Sequence, residues 1–164
     1  MNHLKAFSRK SDGKIDNVEL EKVIGDAIDL FETRQNSVSI QYSPQSYQMV
    51  RANSIRLEQV LVNLISNALD AIEHKEQPQL SIATQELSNT IQILVKDNGL
   101  GIPEEDIPYL FDPFYSSKTT GKGLGLGLSI AYNIIKDFGG SIHVESVEHQ
   151  GTTFIVTLPK GTGS

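Results

Sequence analysis

The sequence predicts an α/β domain, on three observations. Apolar residues recur at helical spacing in three segments, short strand-like segments stand between and after them, and a run of alternating glycines opens the third helical segment. At 164 residues and 18.0 kDa the chain is about the size of one ordinary domain, long enough to bury a sizeable core.

Residues 1–10 (Met1 to Lys10) read as the end of a helix begun elsewhere, and Ser11-Asp12-Gly13-Lys14 breaks it. Val18, Leu20, Val23, Ile24, Ala27, Ile28 and Phe31 then predict an amphipathic helix. Val38 to Tyr42 and Tyr47 to Val50 read as two strands joined by a turn at Pro44. Asn53 or Ser54 caps the next helix, roughly 55–74, whose apolar face is Leu57, Val60, Leu61, Leu64, Ile65, Ala68 and Ile72. Strands follow over Gln79 to Gln85 and Thr90 to Val95, with Ser88-Asn89 as the hairpin turn. Residues 98–123, rich in Gly, Pro, Ser and Thr, are too long for an idle connection and read as a functional loop or lid. A helix to Phe138, a Gly139-Gly140 stop, and strands Ser141 to Glu145 and Thr153 to Leu158 complete the domain. Gly161 to Ser164 reads as an appended tail.

Composition narrows the function. The net charge of -6 and pI near 5.1 provide no general basic surface, which argues against nucleic acid and anionic membrane as partners. Without cysteine there are no disulfides and no thiolate metal sites. No signal peptide and no bilayer-length apolar run is present in the sequence.

Four polar or glycine-rich stretches carry the chemistry. Asn63, Asn67 and Asp70 are spaced four and three apart and share one helix face. Such asparagines are often ordinary surface residues; read functionally, their amide oxygens suit Mg²⁺, a hard cation that keeps waters and phosphate oxygens as its other ligands. Asp97-Asn98-Gly99-Leu100-Gly101 is first of all a strand entering a turn. Its functional extension is a carboxylate that accepts from an adenine amino group while the glycines let backbone approach the base. Phe111 to Lys118 lies within the loop. Gly121 to Gly127 fits neither the P-loop nor the dinucleotide pattern, yet it runs into a helix and so presents bare amides to an anion. A flexible linker would not fill its gaps with Leu124, Leu126 and Leu128, which read as core plugs. Lys118 and Lys122 are either solvated or counter-charges for phosphate. In this order the stretches describe a Mg-ATP pocket.

Asn63-Leu64-Ile65-Ser66-Asn67-Ala68, Asp97 to Pro103, Phe111-Asp112-Pro113-Phe114 and Gly123 to Ser129 resemble the N, G1, F and G2 boxes of two-component sensor histidine kinases. The resemblance covers nearly all of residues 15–159, and Asn67-Ala68-Leu69-Asp70-Ala71 with Ser116-Ser117-Lys118 is similar to the dicarboxylate and nitrogen sensor kinases. It implies the catalytic ATP-binding domain over 15–160 and the Bergerat fold, a two-layer α/β sandwich with a mixed sheet of about five strands on three helices. Residues 1–14 would then be the tail of a dimerisation and phosphoacceptor helix with its linker.

By position, the resemblance makes Asn67 the main Mg²⁺ ligand and Asn63 its companion near the γ-phosphate. Asp97 would read adenine, with Thr152 or Thr153 behind it, and Gly99 and Gly101 would shape the purine pocket. Phe111 and Phe114 would anchor the lid, while Lys118 and the amides of Gly123, Leu124, Gly125, Leu126 and Gly127 would hold phosphates. Asp70 stands where many related kinases carry a basic residue, so it either repels the triphosphate or faces water.

The implied reaction is phosphoryl transfer from ATP to a histidine nitrogen, with a response regulator downstream. His3, His143 and His149 lack an acceptor's surroundings, and His74-Lys75-Glu76-Gln77-Pro78 reads as a helix end. The resemblance therefore implies an acceptor on a separate domain, and implies that this segment is the cytoplasmic part of an inner-membrane sensor, itself without membrane contact. The rivals are an ATP hydrolase or clamp, as in gyrase or the heat-shock chaperones, and a module that senses ATP without transfer. A hydrolase of this kind places a glutamate where Asn63 stands, and an amide is a poor general base.

Overall fold

The computed structural model describes residues 14–32, 39–44, 48–113 and 127–162. Its elements in chain order are β1 (Asp16–Glu19), α1 (Leu20–Glu32), β2 (Ile40–Tyr42), β3 (Met49–Ala52), α2 (Ser54–Ala71), β4 (Leu80–Glu86), β5 (Thr90–Asp97), a 3₁₀ helix (Glu104–Tyr109), α3 (Gly127–Asp137), β6 (Ser141–Val147) and β7 (Gly151–Pro159).

The main sheet has five strands in the order β2-β4-β5-β7-β6. It is mixed: β2 pairs with β4 in parallel, and every other pair is antiparallel. Alternation along the strands makes one face apolar. Leu80, Ile82, Ile91, Ile93, Val95, Phe154, Val156 and Leu158 are buried there and join the core with the inward faces of the helices. The two-layer sandwich and its five strands match the expected fold class.

The central helix α2 starts where the sequence places it. Asn53 is the cap: its Oδ1 accepts the Arg56 amide at 3.0 Å, and its Nδ2 donates to the Lys14 carbonyl at 3.0 Å. The apolar face then buries Leu57, Val60, Leu61, Leu64, Ile65 and Ala68. The β4–β5 hairpin closes at Leu87, whose amide donates to the Thr90 carbonyl at 2.8 Å, and α3 stops before Gly139-Gly140.

Two expectations fail. Val18 does not open a helix but lies on β1, opposite Val50 of β3 in a separate two-stranded antiparallel sheet. Helix α1 begins at Leu20, whose amide is taken by the Gln48 carbonyl at 2.9 Å. Val18 and Leu20 fit a strand period as well as a helical one, and pairing with β3 decides between them. Nor do β2 and β3 form a hairpin about Pro44. Tyr42 pairs with Ile82 in the main sheet, whereas Met49 pairs with Glu19 in the small one. Gly161 and Thr162 are tied to the small sheet: the Gly161 amide donates to the Met49 carbonyl at 2.8 Å, and Asn17 bonds both the amide and the hydroxyl of Thr162. Among the described residues, no helix is long and apolar enough to cross a membrane.

Leu61 is fully buried between α2 and its neighbours. Leu61→Ala should lower unfolding stability by about 2–5 kcal/mol, and Asn53→Ala by about 1 kcal/mol through the lost cap. Urea unfolding followed by circular dichroism measures both, and the order of the two losses is the check.

Candidate functional site

The last residue of β5 is Asp97, and its carboxylate is the chemical centre of the site. Cross-strand register aligns it with Leu80 of β4 on one side and Thr152 of β7 on the other, and Thr152 in turn with Ser146 of β6. Residues directly opposite one another point to the same face, so this row projects towards the helices. Asp97 and Thr152 are 5% and 6% exposed.

Burial pushes the Asp97 carboxyl from an ordinary 3.8 up to about 6, while the amides of Gly99 and Thr152 pull it downwards. The Gly99 amide donates to Asp97 Oδ1 at 2.8 Å, the side-chain-to-backbone turn that Asp favours. At neutral pH the group is therefore a desolvated carboxylate held by backbone donors.

The turn that follows is braced on three sides. The Leu100 amide donates to the Ala71 carbonyl at the end of α2, at 3.1 Å. Asn98 Oδ1 accepts the Gln79 amide at 2.8 Å, and Asn98 Nδ2 donates to the Gln77 carbonyl at 2.9 Å. The Ile102 amide donates to Ser146 Oγ at 2.8 Å. Glycine is required at two places. A Cβ at Gly99 would lie 2.7 Å from the Ala71 Cβ and against its carbonyl, and Gly101 has φ +72° with the Glu148 Cα 2.8 Å from where a Cβ would stand.

Asn63, Asn67 and Asp70 are all half-buried on the α2 turns that lead towards Ala71 and the Asp97 turn. Asn63 Nδ2 donates to the Gly127 carbonyl in the first turn of α3, at 3.1 Å. That bond fixes the amide plane and leaves Oδ1 as the group with acceptor capacity. Among the described residues, the Asn67 amide has no hydrogen-bond partner.

Phe111 follows the 3₁₀ helix in the chain. It stacks on Tyr132 of α3, with centroids 5.3 Å apart, and meets Phe154 of β7 edge-on at 6.4 Å. Leu128 packs half-buried against the core, as a plug should. Phe114, Lys118, Gly123, Leu124, Gly125 and Leu126 lie outside the described residues; Gly127 is the first residue of α3.

Sequence reasoning missed Ser146. A serine in an alternating strand carries no local signal, and only the β6–β7 register sets it beside Thr152. Asn98 was equally silent beyond its turn propensity.

Residues 52–162 match the family described as histidine kinase-, DNA gyrase B-, and HSP90-like ATPase. The chain belongs to this family. Within it, the chain stands with the sensor histidine kinases and shares their ATP-binding domain. The C4-dicarboxylate transport sensor protein DctB of Rhizobium meliloti (strain 1021) is 39% identical over 161 residues, which take in 96% of this chain and 25% of that protein. DctB of Pseudomonas aeruginosa is 34% identical over 146 residues, 87% of this chain and 24% of that one. The chain thus spans about a quarter of the length of these relatives. Among solved structures, the catalytic domain of histidine kinase ThkA superposes with a TM-score of 0.77 at 32% identity, over 91% of this chain and 99% of that one. The mycobacterial sensor histidine kinase MprB, at 20% identity and a TM-score of 0.80 over 92% of this chain and all of that one, shares the fold.

The ATP-binding domain carries its own pH signature. Below pH 4 Asp97 is protonated in both the folded and unfolded chain; between pH 4 and 6 only the folded chain keeps the proton; above that the buried charge is fully expressed. Stability from this group is therefore present at low pH and lost as pH rises. Relative to Asp97→Asn, the unmodified domain should lose about 2 kcal/mol between pH 4 and pH 7. Urea unfolding of both proteins across that range tests it, and a constant difference would contradict the burial argument. Gly99→Ala should cost about 1–3 kcal/mol by forcing the turn off α2, seen as a lower thermal midpoint.

Proposed function

We propose that this domain is the catalytic half of a sensor histidine kinase, binding Mg-ATP and transferring its γ-phosphoryl group to a histidine on a separate dimerisation domain. The observation that carries the reading is the desolvated Asp97 carboxylate, fixed by the Gly99 amide and flanked by Thr152 beneath a turn flush with α2. A buried acceptor of that kind, beside backbone free of side chains, is complementary to the amino edge of adenine.

The donor set also suits the rest of the ligand. Asn67 and Asn63 would hold Mg²⁺ through carboxamide oxygens, and such a set needs phosphate and water to complete its shell. When bound, the ion would supply charge neutralisation at the phosphates. Gly99 and Gly101 would form the purine wall. Phe111, anchored on Tyr132 and Phe154, would with Phe114 hold the lid. Lys118 and the amides of Gly123 to Gly127 would meet the phosphates, and α3, which begins at Gly127, offers a helix N-terminus to them.

Transfer is favoured over hydrolysis by the chemistry at position 63. A hydrolytic mechanism needs a base to take a proton from water. Asn63 is an amide, and its nitrogen is committed to the Gly127 carbonyl. The domain's own residues thus bind, orient and exclude water, while the nucleophile comes from the partner histidine. A relative named as a two-component sensor supports a response regulator downstream, and the place proposed for the domain is the cytoplasmic part of an inner-membrane sensor.

Calorimetry with a non-hydrolysable ATP analogue should give Mg²⁺-dependent binding that Asp97→Asn abolishes. Asn67→Ala should retain binding of the base but lose the Mg²⁺ dependence. With a competent acceptor domain added, label from γ-labelled ATP should appear on its histidine; release of labelled inorganic phosphate alone would favour a hydrolase.

A further inference from the structure

The hydrogen bonds around Ser146 have a definite direction. Ser146 Oγ lies 3.0 Å from the Gly151 carbonyl, which can only accept, so the serine's one proton is spent there. It accepts the Ile102 amide at 2.8 Å. Its third partner is Thr152 Oγ1 at 2.8 Å. With the serine proton already used, the threonine must be the donor in that bond. The Thr152 hydroxyl therefore has only lone pairs left for the pocket. Asp97, in the same cross-strand row, is acceptor-only when ionised.

We propose that Ser146 is a positioning residue for base recognition: by taking the Thr152 hydroxyl proton it leaves an acceptor-only pair, Thr152 and Asp97, that selects a purine with a 6-amino group over one with a 6-oxo group. The inference rests on the ATP reading of the site. An amino group offers two N–H donors to such a pair, whereas a 6-oxo purine turns an acceptor oxygen towards it and has only its N1–H to donate, which leaves a buried acceptor unpaired. Ser146 itself is one strand further from Asp97 and acts through Thr152. The same oxygen pins the Ile102 amide, so the turn bearing Gly99 and Gly101 is held to the β6–β7 hairpin by the group that orients the threonine. The His149 amide, donating to the Leu100 carbonyl at 2.6 Å, is a second tie between turn and hairpin that does not involve the serine. Loss of the Ser146 hydroxyl thus frees Thr152 to rotate and donate while the turn keeps an anchor.

The test is competition binding of non-hydrolysable analogues of ATP and of inosine triphosphate to the 164-residue chain, with the thermal midpoint recorded for each variant. Ser146→Ala should cut the preference for the 6-amino analogue about tenfold, the loss expected for one hydrogen bond turned from acceptor to donor. Ser146→Thr, which keeps the hydroxyl, should restore it. In a Thr152→Val background, Ser146→Ala should have no further effect on the ratio, since there is no hydroxyl left to orient. Should Ser146→Ala not fold, Ser146→Cys, with a weak thiol donor and similar volume, should show the same fall. An unchanged ratio, an equal loss for both analogues, or an effect that persists without Thr152 would overturn the proposal. No binding of either analogue by the folded unmodified chain would instead overturn the ATP reading beneath it.

Discussion

A carboxylate placed at the end of a central strand, under a turn and away from water, is the constraint around which this domain is arranged. An unpaired buried charge is costly enough that the surrounding backbone must answer it. Here the Gly99 and Thr152 amides do so, and the burial that remains still holds the Asp97 carboxyl near 6. The answer determines local shape. The chain must turn immediately after Asp97, and it must turn against the end of α2, where a side chain at position 99 would collide with Ala71. Thr152 must stand in register on β7. A site for a polar base edge and a tightly docked turn are thus one structural fact.

Helix α2 joins that centre to the rest of the molecule. One face supplies Leu57, Leu61, Leu64 and Ile65 to the core, which fixes its rotation. The half-buried edge then has no freedom about where it presents Asn63, Asn67 and Asp70. Its last turn accepts the Leu100 amide, and Asn63 reaches Gly127 at the start of α3. Packing that stabilises the fold therefore also positions the polar groups, and the two roles cannot be varied separately along this helix.

Much of this was legible in the residues. Apolar periodicity places α2 and α3, Asn53 or Ser54 marks the start of α2, and Asp97-Asn98-Gly99 marks the end of β5, because each signal is local: a spacing, a cap, a turn preference. The small β1–β3 sheet was not legible. Val18 and Leu20 are consistent with either period, and β2 and β3 look like a hairpin because proximity in sequence is the natural guess for pairing. Their partners, Ile82 for Tyr42 and Glu19 for Met49, are set by which edges the rest of the fold leaves open.

By itself, the sequence determined the α/β class, the three helices and the order of the four motif stretches that hold Asn63, Asn67, Asp97, Gly99 and Gly101, since these depend on contacts within a few residues. Only the tertiary structure decided that Leu80, Asp97, Thr152 and Ser146 form one row across four strands, that Asn63 bonds the Gly127 carbonyl, and that Ser146 Oγ stands within hydrogen-bond distance of the Gly151 carbonyl and the Thr152 hydroxyl. Strand register sets these contacts, and no local propensity encodes it.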